Sequence, residues 1–349
     1  MAEGDGKTVL VTGGSGYLAG WCIVELIRRG YRVRTTVRNP AREREVHEAV
    51  ASQVDPTHHL TIHQADLMSD EHWDNVIEGC DYVLHVASPF PPKQPKDPDE
   101  LIVPAREGTL RVLGKALDHG VNRVVVTSSV AAIRLAKGTE QRPLTEEDWT
   151  DPDADGLTPY VRSKTIAERA AWDLAEERGA EDRLAVVNPG AIIGPLLHDD
   201  ISYSVQSIER LLKGMPGVPR LGFNFVDVRD VADLEIRAMT SPEGGGKRFI
   251  AVTQWLWMAD AGKILKERLG DRASKVPTRQ IPDLLVRGMA LFDGGIRSIV
   301  GTLGKRTDLS SERAGSVLGW SPRPIEDTVA ETGESLLDHG VVEVPQQTR

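Results

Sequence analysis

The sequence is short of several things. Two of its 349 residues are cysteine, aromatics make up 5%, and no stretch approaches the ~18 unbroken apolar residues of a membrane span. Each shortage removes a class of protein. Cys22 and Cys80 lack the paired spacing of a metal site or disulfide framework, so both read as packing thiols. Positive charge is also scarce: 42 Lys and Arg stand against 52 Asp and Glu, a net charge of −10, which argues against affinity for nucleic acid or anionic membrane. The opening MAEGDGKTVLVTGG has no cationic start followed by an apolar run and cleavage site, so a soluble, cytoplasmic protein is expected. Repeats of about 20 to 50 residues are missing as well, which excludes solenoids. The expected partners are small molecules, to a monomer or a homodimer.

What the chain does have is alternation. Apolar runs of strand length recur with amphipathic segments between them: TVLVTG, then helical 17 to 29; YRVRTTV, then 41 to 51; LTIHQAD, then 69 to 79; DYVLHVA, then 99 to 119; NRVVVTSS, then 158 to 178; and RLAVVNPG. Strands written as continuous Val, Ile and Leu are buried on both faces, which predicts an α/β fold with a doubly wound parallel sheet of the Rossmann type. Residues 1–190 form the expected dinucleotide-binding domain, with 224–240 packing back onto it. Residues 191–349, where the alternation thins, make mostly a smaller substrate lobe. In that lobe Trp255, Trp257, Met258 and Phe292 are candidates for an apolar substrate wall, and the apolar 281–301 region predicts a pair of core helices.

The first strand runs straight into VTGGSGYLAGW. Gly13, Gly16 and Ala19 are three apart, and Gly14-x-Gly16-x-x-Ala19 offers a second register. In either, the glycines let the backbone turn tightly against a pyrophosphate, and Tyr17 and Leu18 open a helix whose N-terminal N–H groups favour an anion. The second strand ends in Arg38, where an acid would bind a free ribose 2′-hydroxyl; with Arg42 or Arg44 it makes a seat for a 2′-phosphate, and so for NADP(H). Asp66 and Leu67 fall where the adenine edge belongs. His85, read as a strand residue, leads into Val86, Ala87 and Ser88, beside the middle of the cofactor.

The stretch TPYVRSKTIAE places Tyr160 four residues before Lys164 on a helix that Thr158 caps and Pro159 starts. A phenol is a poor acid at neutral pH, but a neighbouring ammonium stabilises its anion, which gives the spacing a chemical purpose. The fifth strand ends in Thr127, Ser128 and Ser129, at the sheet edge where open α/β folds bind ligands. A hydroxyl there can polarise a carbonyl while Tyr160 moves its proton.

Together VTGGSGYLAG, VRTTVRNP, QADL, GCDYVLHVASP, VVVTSSVA, TPYVRSKTIAERAAWDLAEE, NPGAIIGP and FVDVRDVA resemble the extended short-chain dehydrogenase/reductases over nearly the whole chain. Within them they are most similar to the dihydroflavonol reductase group, which includes cinnamoyl-CoA reductases and microbial aldehyde reductases. The resemblance implies that Ser129 rather than Ser128 is catalytic, that Tyr160 is the acid/base, and that Lys164 holds the nicotinamide ribose and lowers the Tyr160 pKa. It also implies that Pro189 to Ile192 line the nicotinamide and that Ser204 reaches the cofactor phosphates. Two positions depart from the pattern: Glu45 stands near the second phosphate lysine of the family, leaving Arg44 or Arg42 to substitute, and Arg111 replaces an asparagine. The expected activity is NADP(H)-dependent interconversion of a ketone or aldehyde with an alcohol, without a metal. Alternatives are a nucleotide-sugar epimerase or dehydratase, a 3β-hydroxysteroid dehydrogenase, and an NADP-sensing regulator without chemistry.

Overall fold

The computed structural model describes residues 3–89, 97–134, 142–199, 201–291 and 299–343. The chain divides into two compact units. Described residues of Met1–Pro189, Arg229–Ala251 and Ser310–Ser321 make the first, and those of Gly190–Val228, Val252–Leu309 and Pro322–Arg349 the second.

In the first unit the strands are β1 (Thr8–Val11), β2 (Arg32–Val37), β3 (Leu60–Gln64), β4 (Tyr82–His85), β5 (Arg123–Thr127) and β6 (Leu184–Pro189). The second unit holds β7 (Ala191–Ile193), β8 (Gly222–Asp227) and β10 (Gln254–Trp257), while β9 (Lys247–Ala251) returns to the first. Among the described residues the first unit carries a seven-stranded parallel sheet in the order β3-β2-β1-β4-β5-β6-β9, a Rossmann-type arrangement. Strand order reverses between β1 and β4, paired through Val9↔Tyr82 and Val11↔Leu84. Their carboxyl ends therefore open a crevice at the topological switch point.

Five helices carry the argument in this unit: α1 (Tyr17–Arg28), α2 (Glu43–Ala51), α3 (Trp73–Ile77), α4 (Asp99–Asp118) and α5 (Pro159–Glu177). On α5 the small residues Ala167, Ala171 and Ala175 recur every fourth position and are buried. One apolar core joins Ala171 and Ala175 to Val112, Leu113 and Ala116 of α4, Val124 and Val126 of β5, and Trp73. That packing fixes the height of Tyr160 and Lys164 along the sheet edge.

Two expectations are corrected. The helix expected over 69–79 shrinks to Trp73–Ile77, because His72 takes a left-handed conformation (φ 72°) that stops the helix extending back, and Gly79 (φ 72°) ends it. Of the pair of core helices expected over 281–301, the described one is not a core helix. That helix, Asp283–Met289, buries Val286 and leaves Leu284 80% and Leu291 72% exposed; residues 292–298, with Phe292, lie outside the described residues. Val286 and Ala290, one turn apart, face inward, and Leu284, Leu285 and Met289 fall on other sides of the helix. No helix among the described residues is long and apolar enough to cross a membrane.

Candidate active site

The glycine turn is built by clearance. Gly13 has φ +75°, and a Cβ there would lie 2.9 Å from the Ala87 Cβ; one on Gly14 would lie 2.3 Å from the Thr35 Oγ1. Side chains at either position would push β1 away from β4 or β2. Thr12 ties the turn to β4: its Oγ1 lies 3.0 Å from the His85 Nδ1 and accepts the Ala87 N–H at 3.0 Å, while the Gly13 N–H donates to the Thr36 Oγ1. Gly16 precedes α1 with no side-chain cap and no acid follows in the first turn, so the helix N-terminus keeps N–H groups and a positive end for an anion. The cradle thus fits a dinucleotide pyrophosphate. Tyr17 is half-buried and Leu18 buried, which leaves Leu18 only its backbone to offer.

At the end of β2, Arg38 is exposed. Its neighbours are engaged with acids: Arg42 pairs with Glu45 at 2.5 Å, and the outward Arg44, its side chain 87% exposed, pairs with Glu48 at 3.4 Å. The i,i+3 and i,i+4 spacings on one short helix bring these pairs together. Glu45, standing where the family lysine would be, therefore occupies one of its two candidate substitutes.

Thr158 caps α5 by accepting the Val161 N–H at 3.3 Å, and Pro159 starts the helix. The Tyr160 hydroxyl meets that of Ser129. Ser129 Oγ also accepts the Ala131 N–H at 3.1 Å, so the serine is braced by the turn that follows β5. One helical turn on, the Lys164 ammonium donates to the Thr127 carbonyl at 3.4 Å. Lys164 and Thr127 line one recess with His85, Ala87, Ser88 and Thr109. His85, read as a strand residue, is buried there, and burial holds its imidazole down at about 3, so it stays neutral.

Burial also governs Tyr160 and Lys164. It pushes the Tyr160 phenol above its ordinary value, with the Ser129 hydrogen bond and the Arg134 charge pulling it back. Lys164 lies one helical turn further along α5. Its own ammonium is pulled down to about 8 by burial, against the carboxylates of Glu168 and Glu235.

Ser128, next to Ser129, turns away and donates to Glu168 Oε2 at 2.5 Å. Glu168 is the hub of a buried network that the sequence reading missed. It accepts from Asn188 Nδ2 at 2.8 Å and Arg248 Nε at 2.5 Å, and Arg248 lies over the Trp149 ring, 3.7 Å from its centroid. Asn188 also donates to the Ser129 carbonyl at 3.2 Å, so the network holds the chain just past the end of β5. Glu168 follows Lys164 by one turn in TPYVRSKTIAE, a visible signal; Arg248 is 80 residues away and gave none.

Asp66 Oδ1 accepts the Met68 N–H at 2.9 Å, and Leu67 packs where a Cβ on Gly108 would come within 2.9 Å. Arg111 bonds to Asp70 at 2.5 Å and to the Leu67 carbonyl, bracing that corner instead of serving a relay. Val86 is half-buried, and Pro189 ends β6 buried. In the second unit Ile192 is a half-buried residue of β7, and Ser204 precedes the helix Val205–Lys213 without capping it. Trp255 and Trp257 stand edge to face, 5.4 Å apart and half-buried, while Met258 is buried. Among the described residues no group of His, Cys, Asp and Glu could hold a metal ion.

Residues 9–251 match the family described as the NAD dependent epimerase/dehydratase family. The chain belongs to it. Relatives in this family include cinnamoyl-CoA reductase CAD2 of Medicago truncatula, 35% identical over 340 residues and matching 95% of this chain and 96% of its own. Tetraketide alpha-pyrone reductase 2 of Arabidopsis thaliana is 36% identical, over 68% of this chain and 75% of its own. Among solved structures, the yeast methylglyoxal/isovaleraldehyde reductase Gre2 complexed with NADPH superposes with a TM-score of 0.79 at 25% identity, covering 96% of this chain and all of that one.

Proposed function

We propose that the protein is an NADP(H)-dependent oxidoreductase that reduces a ketone or aldehyde to an alcohol, or runs the reverse. The observation that carries this reading is the meeting of the Tyr160 and Ser129 hydroxyls at the sheet edge, with Lys164 one helical turn away. Bound NADPH supplies a hydride to the carbonyl carbon. Tyr160 gives its proton to the oxygen as that carbon is reduced, and Ser129 holds the same oxygen by a hydrogen bond. Lys164 offers its N–H groups to the nicotinamide ribose and its charge to the developing phenolate. Gly13, Gly16 and the start of α1 receive the pyrophosphate, and the exposed Arg38 the 2′-phosphate.

A nucleotide-sugar epimerase uses the same tyrosine and lysine but favours an acid where Arg38 stands. The reductase names of the relatives support the carbonyl reading. The test is cofactor consumption with a panel of aldehydes, ketones and sterols, beside nucleotide sugars assayed for epimerisation. Oxidation of NADPH by members of the first group supports the proposal. Epimerisation without net cofactor consumption, or tight NADP(H) binding with no turnover of any kind, overturns it.

A further inference from the structure

Behind the recess lies a carboxyl that the reaction does not use. Glu235, on the helix Val228–Thr240, is fully buried. Its Oε1 accepts the Thr127 hydroxyl at 2.5 Å, and its Oε2 faces the Cys22 thiol of α1 at 3.6 Å. Thr127 is the residue whose carbonyl holds the Lys164 ammonium. One residue at the end of β5 therefore binds the carboxyl by its side chain and the ammonium by its backbone.

We propose that Glu235 is a positioning residue that keeps Lys164 charged, an internal counter-ion reached through Thr127 and buried beneath the floor of the cofactor recess. Reliance on Lys164 as the ribose-binding lysine makes this inference rest on the NADP(H) reading above. A carboxyl taken out of water so completely needs a partner, and this one has no ion pair with Lys or Arg among those described. Its neighbours are the Cys22 thiol, which Glu25 also influences, the Thr127 hydroxyl and the Lys164 ammonium. Lys164 in turn feels Glu168 from its own helix and stands near His85, which is neutral. Burial pushes Glu235 up to about 7, with Thr127, Cys22 and Lys164 opposing it, so it becomes an anion over the range in which Lys164, at about 8, needs one. Glu168 is committed to Arg248, Ser128 and Asn188, whereas Glu235 has no such cation to satisfy.

The experiment is titration of NADPH onto the protein by fluorescence across pH, for wild type, Glu235→Gln and Thr127→Val. Glutamine keeps the shape and can still accept from Thr127 but carries no charge. The alkaline midpoint, above which cofactor binding weakens, should move to lower pH by about one unit, the low end of what one nearby charge does. Thr127→Val removes a bond that favours the carboxylate, so it should move the midpoint the same way by less; it also decides the matter if the glutamine variant does not fold. Superimposable profiles, or weakening by one factor at every pH, would overturn the inference. A shifted binding profile in a protein that turns over no carbonyl would leave this role standing and remove the reductase reading instead.

Discussion

Replacing Glu168 by alanine removes the anion from a buried site. Arg248 Nε and Ser128 Oγ lose their acceptor, Asn188 Nδ2 loses one of two, and Arg248 is only 5% exposed. Breaking a buried pair by deleting one partner costs about 3–5 kcal/mol. Two carbonyl bonds remain to Arg248, from Glu146 at 2.8 Å and Asp148 at 2.9 Å, and its stack on Trp149 persists. They place the expected loss near the lower end, about 3 kcal/mol. In urea, with a slope of about 3 kcal/mol/M, the unfolding midpoint should fall by about 1 M. The double variant Glu168→Met with Arg248→Met removes both charges together, and should recover most of that loss because no unpaired ion stays inside. Tryptophan fluorescence in urea reads both variants. A fall of under about 0.3 M for Glu168→Ala, roughly 1 kcal/mol by the same slope, would refute the reasoning, as would a double variant weaker than the single.

Arg38→Ala should lower kcat/KM for NADPH by roughly ten- to a hundredfold and leave NADH nearly unchanged, as expected for a lost charge-assisted bond of about 1.5–3 kcal/mol; steady-state kinetics with both cofactors checks this. Arg44→Ala should do less than Arg38→Ala in the same assay, since its side chain is outward and paired with Glu48. Glu235 gives a pH prediction. Its carboxyl is raised in the fold from 4.5 to about 7, so its stabilising contribution is full below pH 4.5 and lost as pH rises through 7. Relative to Glu235→Gln, wild type should therefore lose about 3 kcal/mol across that window in urea titrations; a constant difference would contradict it.

The parallel sheet was legible because strands buried on both faces are written in Val, Ile and Leu. β9 was not, since KRFIA begins with two charged residues behind the turn SPEGGGK, and its Arg248 enters the buried Glu168 network rather than solvent. Tyr160, Lys164 and the glycine turn were readable because their spacing lies within one helix or one turn. The support behind them was hidden: Glu168 meets Asn188 and Arg248, and Glu235 meets Thr127, only when distant strands and helices assemble, and a buried carboxylate looks in sequence like any surface one. Residues 281–291 misled for the converse reason, since their apolar composition did not carry a helical face wide enough to bury.

The most direct test of the central claim is turnover by Tyr160→Phe with NADPH dideuterated at nicotinamide C4 and a carbonyl that the wild type reduces. The wild type should deliver deuterium to the new carbinol carbon. The phenylalanine variant should bind NADPH with nearly unchanged affinity and lose at least about a hundredfold in kcat, the lower range for removing a general acid. Activity within about tenfold of wild type, or a carbinol carbon without deuterium, would contradict the account.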